Sequence, residues 1–342
     1  MSSTGISLAN KYRPTDFADC VGQNSIIKIL ERQVYLQQYK HAYLFTGPSG
    51  TGKTTISRIL ASKINGSLAG LEELDAASNN GVDNVRAIIK AAQERSISSL
   101  YKIYIIDECH ALSNQAWQAF LKCIEEPPEY TIFFFCTTNP EKVPATIVNR
   151  CQRYNLTKIS TDKIRERLEY ICKKEGFTNY SESIDFIAKI SDGGARDAIA
   201  TLEKVASYDT NISIENTLQA LGAYSYQMFF DLANSIIDGN VQSTLTIVTK
   251  VYNEGNDLKL FVDSFFTFCL DIVKYCLFKS MEMINIPNSF EEQLQNSINF
   301  DNPDKYYMFI VDKLLELKNR IKNDTMVKAV VEAFFTKMAR WE

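Results

Sequence analysis

The chain has 342 residues, is 45% hydrophobic and 23% charged, and carries a formal net charge of −4. That length holds two or three domains, and the composition suits a soluble, well-packed protein rather than a disordered or fibrous one. The charge excludes a generic polyanion binder. Eight scattered cysteines without a C-x-x-C pair and only two histidines argue against disulfides or zinc, and for buried thiols in a reducing cytoplasm.

The N-terminal "MSSTGISLANKYRP" is polar and reads as no signal peptide. The longest apolar runs, "TIFFFC" and "LFVDSFFTFCLDIV", are too short or too polar to span a bilayer. A cytoplasmic protein without membrane contact is expected. Residues 1–160 carry 17 Lys and Arg against 14 Asp and Glu, and residues 161–342 carry 20 against 27. Any nucleic-acid contact must therefore come from a local patch in the first half.

In chain order, residues 1–160 alternate short apolar strands with amphipathic helices, the α/β pattern. "HAYLF" (41–45), "LEELDA" (71–76), "KIYIID" (102–107) and "TIFFFC" (131–136) read as strands. The last two are nearly continuous apolar runs, as parallel strands covered on both faces require. "NQAWQAFLKCIEE" sets Ala116, Trp117, Phe120, Leu121 and Ile124 on one helical stripe, and "EEPP" ends that helix. Beyond residue 160 strand signals stop. "STDKIRERLEYICKKEG" opens with capping residues and closes at Gly176. Two short helices follow to about 207, then five to seven more, with breaks near "LGAYS", "IDGN", "NEGND" and "NIPNS". The expected domains are an α/β domain (1–160), a small helical unit (161–207) and a further all-α domain (208–342).

Between the first strand and a helix lies "GPSGTGKT" (47–54), which fits G-x-x-x-x-G-K-[ST]. Glycines there let backbone N–H groups turn toward phosphates at a helix N-terminus. The motif spans Gly47, Ser49, Gly50, Thr51, Gly52, Lys53 and Thr54, with Thr55 next. Lys53 is placed to reach the β- and γ-phosphates of ATP, and the Thr54 hydroxyl to ligate Mg²⁺. About fifty residues later "IYIIDE" ends a strand in two acids. Asp107 belongs on the Mg²⁺ side, and Glu108 is the candidate general base for the attacking water.

"DECH" (107–110) also spells the box of DExH helicases. A helicase, however, needs a second motor domain, a Ser-Ala-Thr-like motif and a late Gln/Arg/Gly-rich motif, and none is present. Cys109 and His110 therefore read as incidental, with His110 packing or capping near the strand end.

Several stretches together resemble the AAA+ clamp-loader ATPases, and among them the gamma/tau subunits of bacterial DNA polymerase III. They are "KYRPTDFADCVGQ" (11–23), "HAYLFTGPSGTGKTT" (41–55), "LDAASNNGVDNVR" (74–86), "YKIYIIDECHALSNQAWQAFLKCIEEPPE" (101–129), "TTNPEKVPATIVNRC" (137–151) and "GGARDAIATLE" (193–203). They keep the family's order from about residue 7 to 205, and the resemblance makes 1–160 a nucleotide-binding domain, 161–207 a helical lid and 208–342 an all-α collar.

The resemblance implies that Tyr12, Arg13, Pro14, Val21 and Gly22 line an adenine pocket. It makes Thr138 a first sensor positioning the water, and Arg196 a second sensor reaching the γ-phosphate from the lid. It implies that Arg150 acts in trans on ATP held by the neighbouring subunit. For both arginines the alternative is a surface ion pair. It further implies other clamp-loader subunits (a pentamer), a sliding clamp and primer-template DNA as partners. DNA contacts of that kind are phosphate-directed. They fall on "SNNGVDNVRAIIKAAQ", with Asn79, Asn80, Arg86 and Lys90, and on "LSNQAW", with Asn114. The alternative for each is a solvated helix face.

Three departures from the family stand out. Its four-cysteine zinc module is replaced by "NGSLAGLEE", so no zinc is expected, Asn149 stands where the family has serine, and the chain ends in a helix with no tail beyond it, so no polymerase or helicase tether is expected. Two other functions compete: an ATP-binding scaffold that does not turn over, and another AAA+ DNA-remodelling ATPase of the branch-migration or recombination type.

Overall fold

The computed structural model describes residues 5–222 and 224–341. It divides into two compact units. One holds the chain through Glu175 together with Ile187–Glu203, the other Gly176–Phe186 and the chain from Lys204 onward.

In the first unit, helices α1 (Leu8–Lys11) and α2 (Asn24–Leu36) lead into strand β1 (Ala42–Thr46) and helix α3 (Lys53–Asn65). Strand β2 (Leu71–Asp75), α4 (Val82–Ala92), β3 (Lys102–Asp107), α5 (Asn114–Glu125) and β4 (Thr131–Thr137) follow. Short α6 (Ala145–Val148) precedes β5 (Gln152–Asn155), then comes α7 (Thr161–Glu175), while α8 (Ser181–Ile190) and α9 (Ala195–Tyr208) each belong partly to the first unit and partly to the second. The five strands are parallel in the order β2-β3-β4-β1-β5.

Every residue of β1 and β4 is buried, because both strands lie inside the sheet and helices cover both faces. Alternation decides which cover each side chain meets. Tyr43, Phe45, Ile105 and Phe134 cluster with Leu30 of α2 and Ile56, Ile59 and Leu60 of α3. Leu44, Ile106, Phe133 and Phe135 cluster with Val85 of α4 and with Trp117 and Phe120 of α5. In α5 the Ser113 side chain caps the Ala116 N–H at 3.2 Å. Cys123 joins the buried stripe, whereas Leu121, expected there, is half-buried.

The sequence signals missed β5. It is a four-residue edge strand in which only Tyr154 is buried, too short and polar to stand out as an apolar run.

In the second unit run α10 (Ile214–Leu221), α11 (Tyr226–Ile237), α12 (Val241–Asn253), α13 (Leu258–Phe278), α14 (Glu291–Ser297), α15 (Pro303–Ile321) and α16 (Val327–Ala339). These are seven α-helices among the described residues, at the upper end of expectation, with breaks near the four predicted sites. Phe261, Phe265, Phe268 and Ile272 of α13 are buried and share one core with Phe229 of α11 and Phe335 of α16. Asp271, buried in the same helix, is fully engaged. It pairs with Lys274 at 2.8 Å and accepts the Asn285 N–H at 2.9 Å, so no charge is left uncompensated. Among the described residues no helix is long and apolar enough to cross a membrane.

Candidate functional site

The site grows from the C-terminal edge of the sheet, where β1 and β3 end. The loop after β1 turns through Gly47 (φ 144°), Gly50 (φ 71°) and Gly52 (φ 102°) into α3. A Cβ on Gly47 would sit 2.4 Å from the Leu156 carbonyl oxygen, so glycine is required there. Lys53 opens α3 at 6% exposure. Its ammonium donates to the Gly47 and Pro48 carbonyls, both at 2.9 Å. Burial lowers its pKa, and the carboxylates of Glu108 and Asp107 oppose that shift. Thr54 Oγ1 donates to Asp107 Oδ2 at 2.7 Å. This hydroxyl and carboxylate form a hard-oxygen pair of the kind Mg²⁺ takes alongside phosphate oxygens. Among the described residues no group of three or more His, Cys, Asp or Glu side chains gathers as a metal site.

Glu108 follows Asp107 in the left-handed region (φ 45°), a sparsely populated conformation for a non-glycine residue. Its carboxylate Oε2 meets the Thr138 hydroxyl at 3.1 Å and the Thr138 N–H at 3.4 Å. His110 Nδ1 lies 3.2 Å from the same oxygen and 3.0 Å from Thr137 Oγ1. His110, read from sequence as incidental, thus touches the candidate base.

The chain preceding α2 lies against α7. The Tyr12 hydroxyl donates to Glu175 Oε1, which also pairs with Lys11 Nζ at 2.6 Å. Arg167 donates to the Tyr12 carbonyl at 2.5 Å. Burial and the Glu175 carboxylate push the Tyr12 phenol up to about 12, while the two donors hold the Glu175 carboxyl below its ordinary value. Gln23 fastens the next turn to the segment after β5, donating to Thr157 O at 2.7 Å and accepting from Thr157 N at 3.2 Å.

One cleft is walled by this strap, the glycine loop and the start of α9. Tyr12, Arg13, Pro14 and Val21 line it, as do Ser49 to Thr55, Asp107, Glu108 and Arg196. Gly22 and Gly47 flank the cleft without lining it. Ile159 and Ile199, not foreseen, extend its apolar wall. The Gly50 carbonyl accepts the Ala195 N–H at 3.1 Å, which ties the loop to the helix that carries Arg196. Burial, with the Arg58 and Arg196 guanidinium groups, lowers the Arg13 pKa against the opposing carboxylates of Glu73 and Asp107.

Arg150 lies outside that lining. It pairs with Glu125 at the end of α5 at 2.5 Å and donates to Thr146 O at 2.8 Å. The two candidate DNA segments meet, because Ser113 N donates to Asn80 O at 3.3 Å. Asn80 and Asn114 are exposed at this junction, and Asn79 bonds back to the Asp75 carbonyl at 3.1 Å. Arg86 and Lys90 are exposed on α4, with Arg86 loosely paired to Asp83 at 3.4 Å.

A family model described as DNA polymerase III, delta subunit matches residues 71–160. One described as DNA polymerase III subunits gamma and tau domain III matches residues 212–298. The chain is similar to DNA polymerase III subunit tau of Bacillus subtilis, 35% identical over 84% of this chain and 55% of that protein. It is 32% identical to subunit tau of Escherichia coli over 72% of this chain and 42% of that protein. Against subunit gamma of Buchnera aphidicola it is 32% identical over 72% of this chain and 75% of that one. The chain thus spans about half the length of the longer relatives. Among solved structures it resembles the Thermotoga maritima RuvB Holliday junction branch migration motor, with a TM-score of 0.53 at 19% identity over 66% of this chain and 80% of that one. At that identity the likeness is one of fold alone.

Proposed function

The chain belongs to the DNA polymerase III gamma/tau family, and on that premise we propose that it is the ATP-hydrolysing motor subunit of a replication clamp loader. In this reading ATP binding favours an assembly that opens a ring-shaped sliding clamp around primer-template DNA, and hydrolysis releases it. The observation that carries the proposal is the convergence of Lys53, Thr54, Asp107 and Glu108 in one cleft, with Thr138 bonded to the base.

The backbone of the glycine loop and Lys53 hold the phosphates, and Arg13 and Arg196 add positive charge from the strap and the lid. Thr54 and Asp107 hold Mg²⁺, which supplies charge neutralisation on the phosphate oxygens. Glu108 takes a proton from the attacking water. Tyr12, Pro14 and Val21 receive the base against the apolar wall. Residues 1–160 act as the nucleotide-binding domain, 161–207 as a lid and 208–342 as a collar for oligomerisation. Arg150 serves a neighbouring subunit's ATP in a pentameric cytoplasmic assembly. Asn79, Asn80, Arg86, Lys90 and Asn114 face DNA phosphates.

Steady-state ATP hydrolysis, measured with primed DNA and with or without a sliding clamp, tests the proposal. Stimulation by primed DNA that grows when clamp is added is the expected result. Absence of turnover under every condition would leave an ATP-binding scaffold. Clamp-indifferent stimulation by branched DNA would leave a different remodelling ATPase.

A further inference from the structure

We propose that His110 is a positioning residue for Glu108, anchoring one carboxylate oxygen so that the other is presented to water. The inference rests on the reading of Glu108 as general base.

Three groups converge on Glu108 Oε2: the Thr138 N–H at 3.4 Å, the Thr138 hydroxyl at 3.1 Å and His110 Nδ1 at 3.2 Å. The first is long for a hydrogen bond. The second is contested, because the single Thr138 hydroxyl proton also faces Asn139 Oδ1 at 2.9 Å. The imidazole, in polar contact with the same oxygen at 3.2 Å, is the third group that sets where the carboxylate points.

Its tautomer follows from its neighbours. An unprotonated Nδ1 would set its lone pair against a carboxylate oxygen 3.2 Å away, so Nδ1 carries the hydrogen and turns its positive edge toward Oε2. The hydrogen bond itself is made with Thr137 Oγ1 at 3.0 Å, which also accepts the Asn139 N–H at 3.0 Å and so fixes the ring beside the carboxylate. The ring side chain is 20% exposed and that of Glu108 39%. Glu108 also stands in the left-handed region at φ 45°. Such a backbone persists where its surroundings over-determine it, and functional carboxylates are where that recurs. With Oε2 held from the β4 side, Oε1 has no partner among the described residues and is the oxygen left to accept a proton.

The test uses the full chain with Mg-ATP and primer-template DNA. It compares wild type, His110→Ala, His110→Asn and Glu108→Gln, reading kcat, KM and the Kd of a fluorescent ATP analogue. Loss of a polar contact to a charged group predicts a kcat roughly ten- to a hundredfold lower in His110→Ala, with KM and Kd within about a factor of two. In His110→Asn the amide nitrogen can occupy the place of Nδ1 and restores most of the rate. A wild-type kcat in His110→Ala overturns the proposal, as does His110→Asn falling as far as His110→Ala, since packing rather than a donor would then be at stake. If Glu108→Gln keeps full turnover, the general-base assignment itself fails, a result distinguishable from failure of the histidine alone.

Discussion

At the scale of single residues, the contact between Tyr12 and Glu175 shows how a cleft wall is kept in place. Glu175 accepts from Lys11 and from the Tyr12 hydroxyl, and its carboxyl is held below the ordinary 4.5. A depressed carboxyl contributes stability that is fully present above its unfolded value and is lost as pH falls through the folded one. The strap should therefore stay docked at neutral pH and loosen below about 4.5. Tyr12, raised to about 12, shifts the other way. Its contribution holds below the ordinary 10.0 and fades only in strong alkali. Glu175→Gln should weaken docking by about 1 kcal/mol, near the low end for a bond to a charged group, because the pair is partly solvent-exposed. Hydrogen exchange of residues 8–20 as a function of pH reads this. Once the intrinsic exchange rate at each pH is divided out, wild type should lose protection in acid and the variant should be weakly protected throughout; a wild-type profile in the variant removes the role. Lys53, Thr54, Asp107 and Glu108 were legible because a glycine loop and a strand end announce them locally. Glu175 and Arg167 were not, since they act on residues more than 150 positions away. His110 sat in plain view beside Glu108, but only geometry connects an imidazole to a carboxylate two positions earlier.

At the scale of elements, the central strands were readable because complete burial leaves an uninterrupted apolar run, and β5 escaped because an edge strand needs only one buried side chain. The helical breaks were readable from glycine and asparagine turns, as at Gly222 (φ 66°) and Gly239 (φ 69°). Helix α4 was readable as a helix but not as a neighbour of the α5 N-terminus, because the Ser113–Asn80 bond joins segments far apart in sequence. Their meeting concentrates exposed amides and two exposed cations on one side of a chain whose net charge is negative. If this face follows DNA phosphates, the double variant Arg86→Ala/Lys90→Ala should bind primer-template DNA more weakly. Its log K against log salt slope should flatten by about 0.9 for each phosphate that the variant no longer neutralises. Fluorescence anisotropy across a salt series measures both. An unchanged slope would mean that these side chains only face solvent.

At the scale of the whole molecule, the cleft holds what one chain can supply, while Arg150 directs its charge elsewhere. Its partner here is Glu125, and with side chains 40% and 41% exposed such a pair contributes little to stability. The guanidinium is therefore readily released to another anion. If, as proposed, a second copy or a related subunit brings a triphosphate to this arginine outside the cleft lining, hydrolysis is tied to assembly. This makes a prediction that needs no knowledge of the other subunits. Lys53→Ala should lose nucleotide binding but keep a functional Arg150, and Arg150→Ala should bind nucleotide but fail in stimulated turnover. Each alone should be inactive. In a one-to-one mixture, about a quarter of head-to-tail interfaces pair an intact Lys53 with an intact neighbouring Arg150. Mixing should thus restore about a quarter of the wild-type rate per interface, provided the chains exchange before DNA is added. If Arg150 acts within its own chain, no mixture of the two recovers any turnover, because every site still lacks one of the two charges.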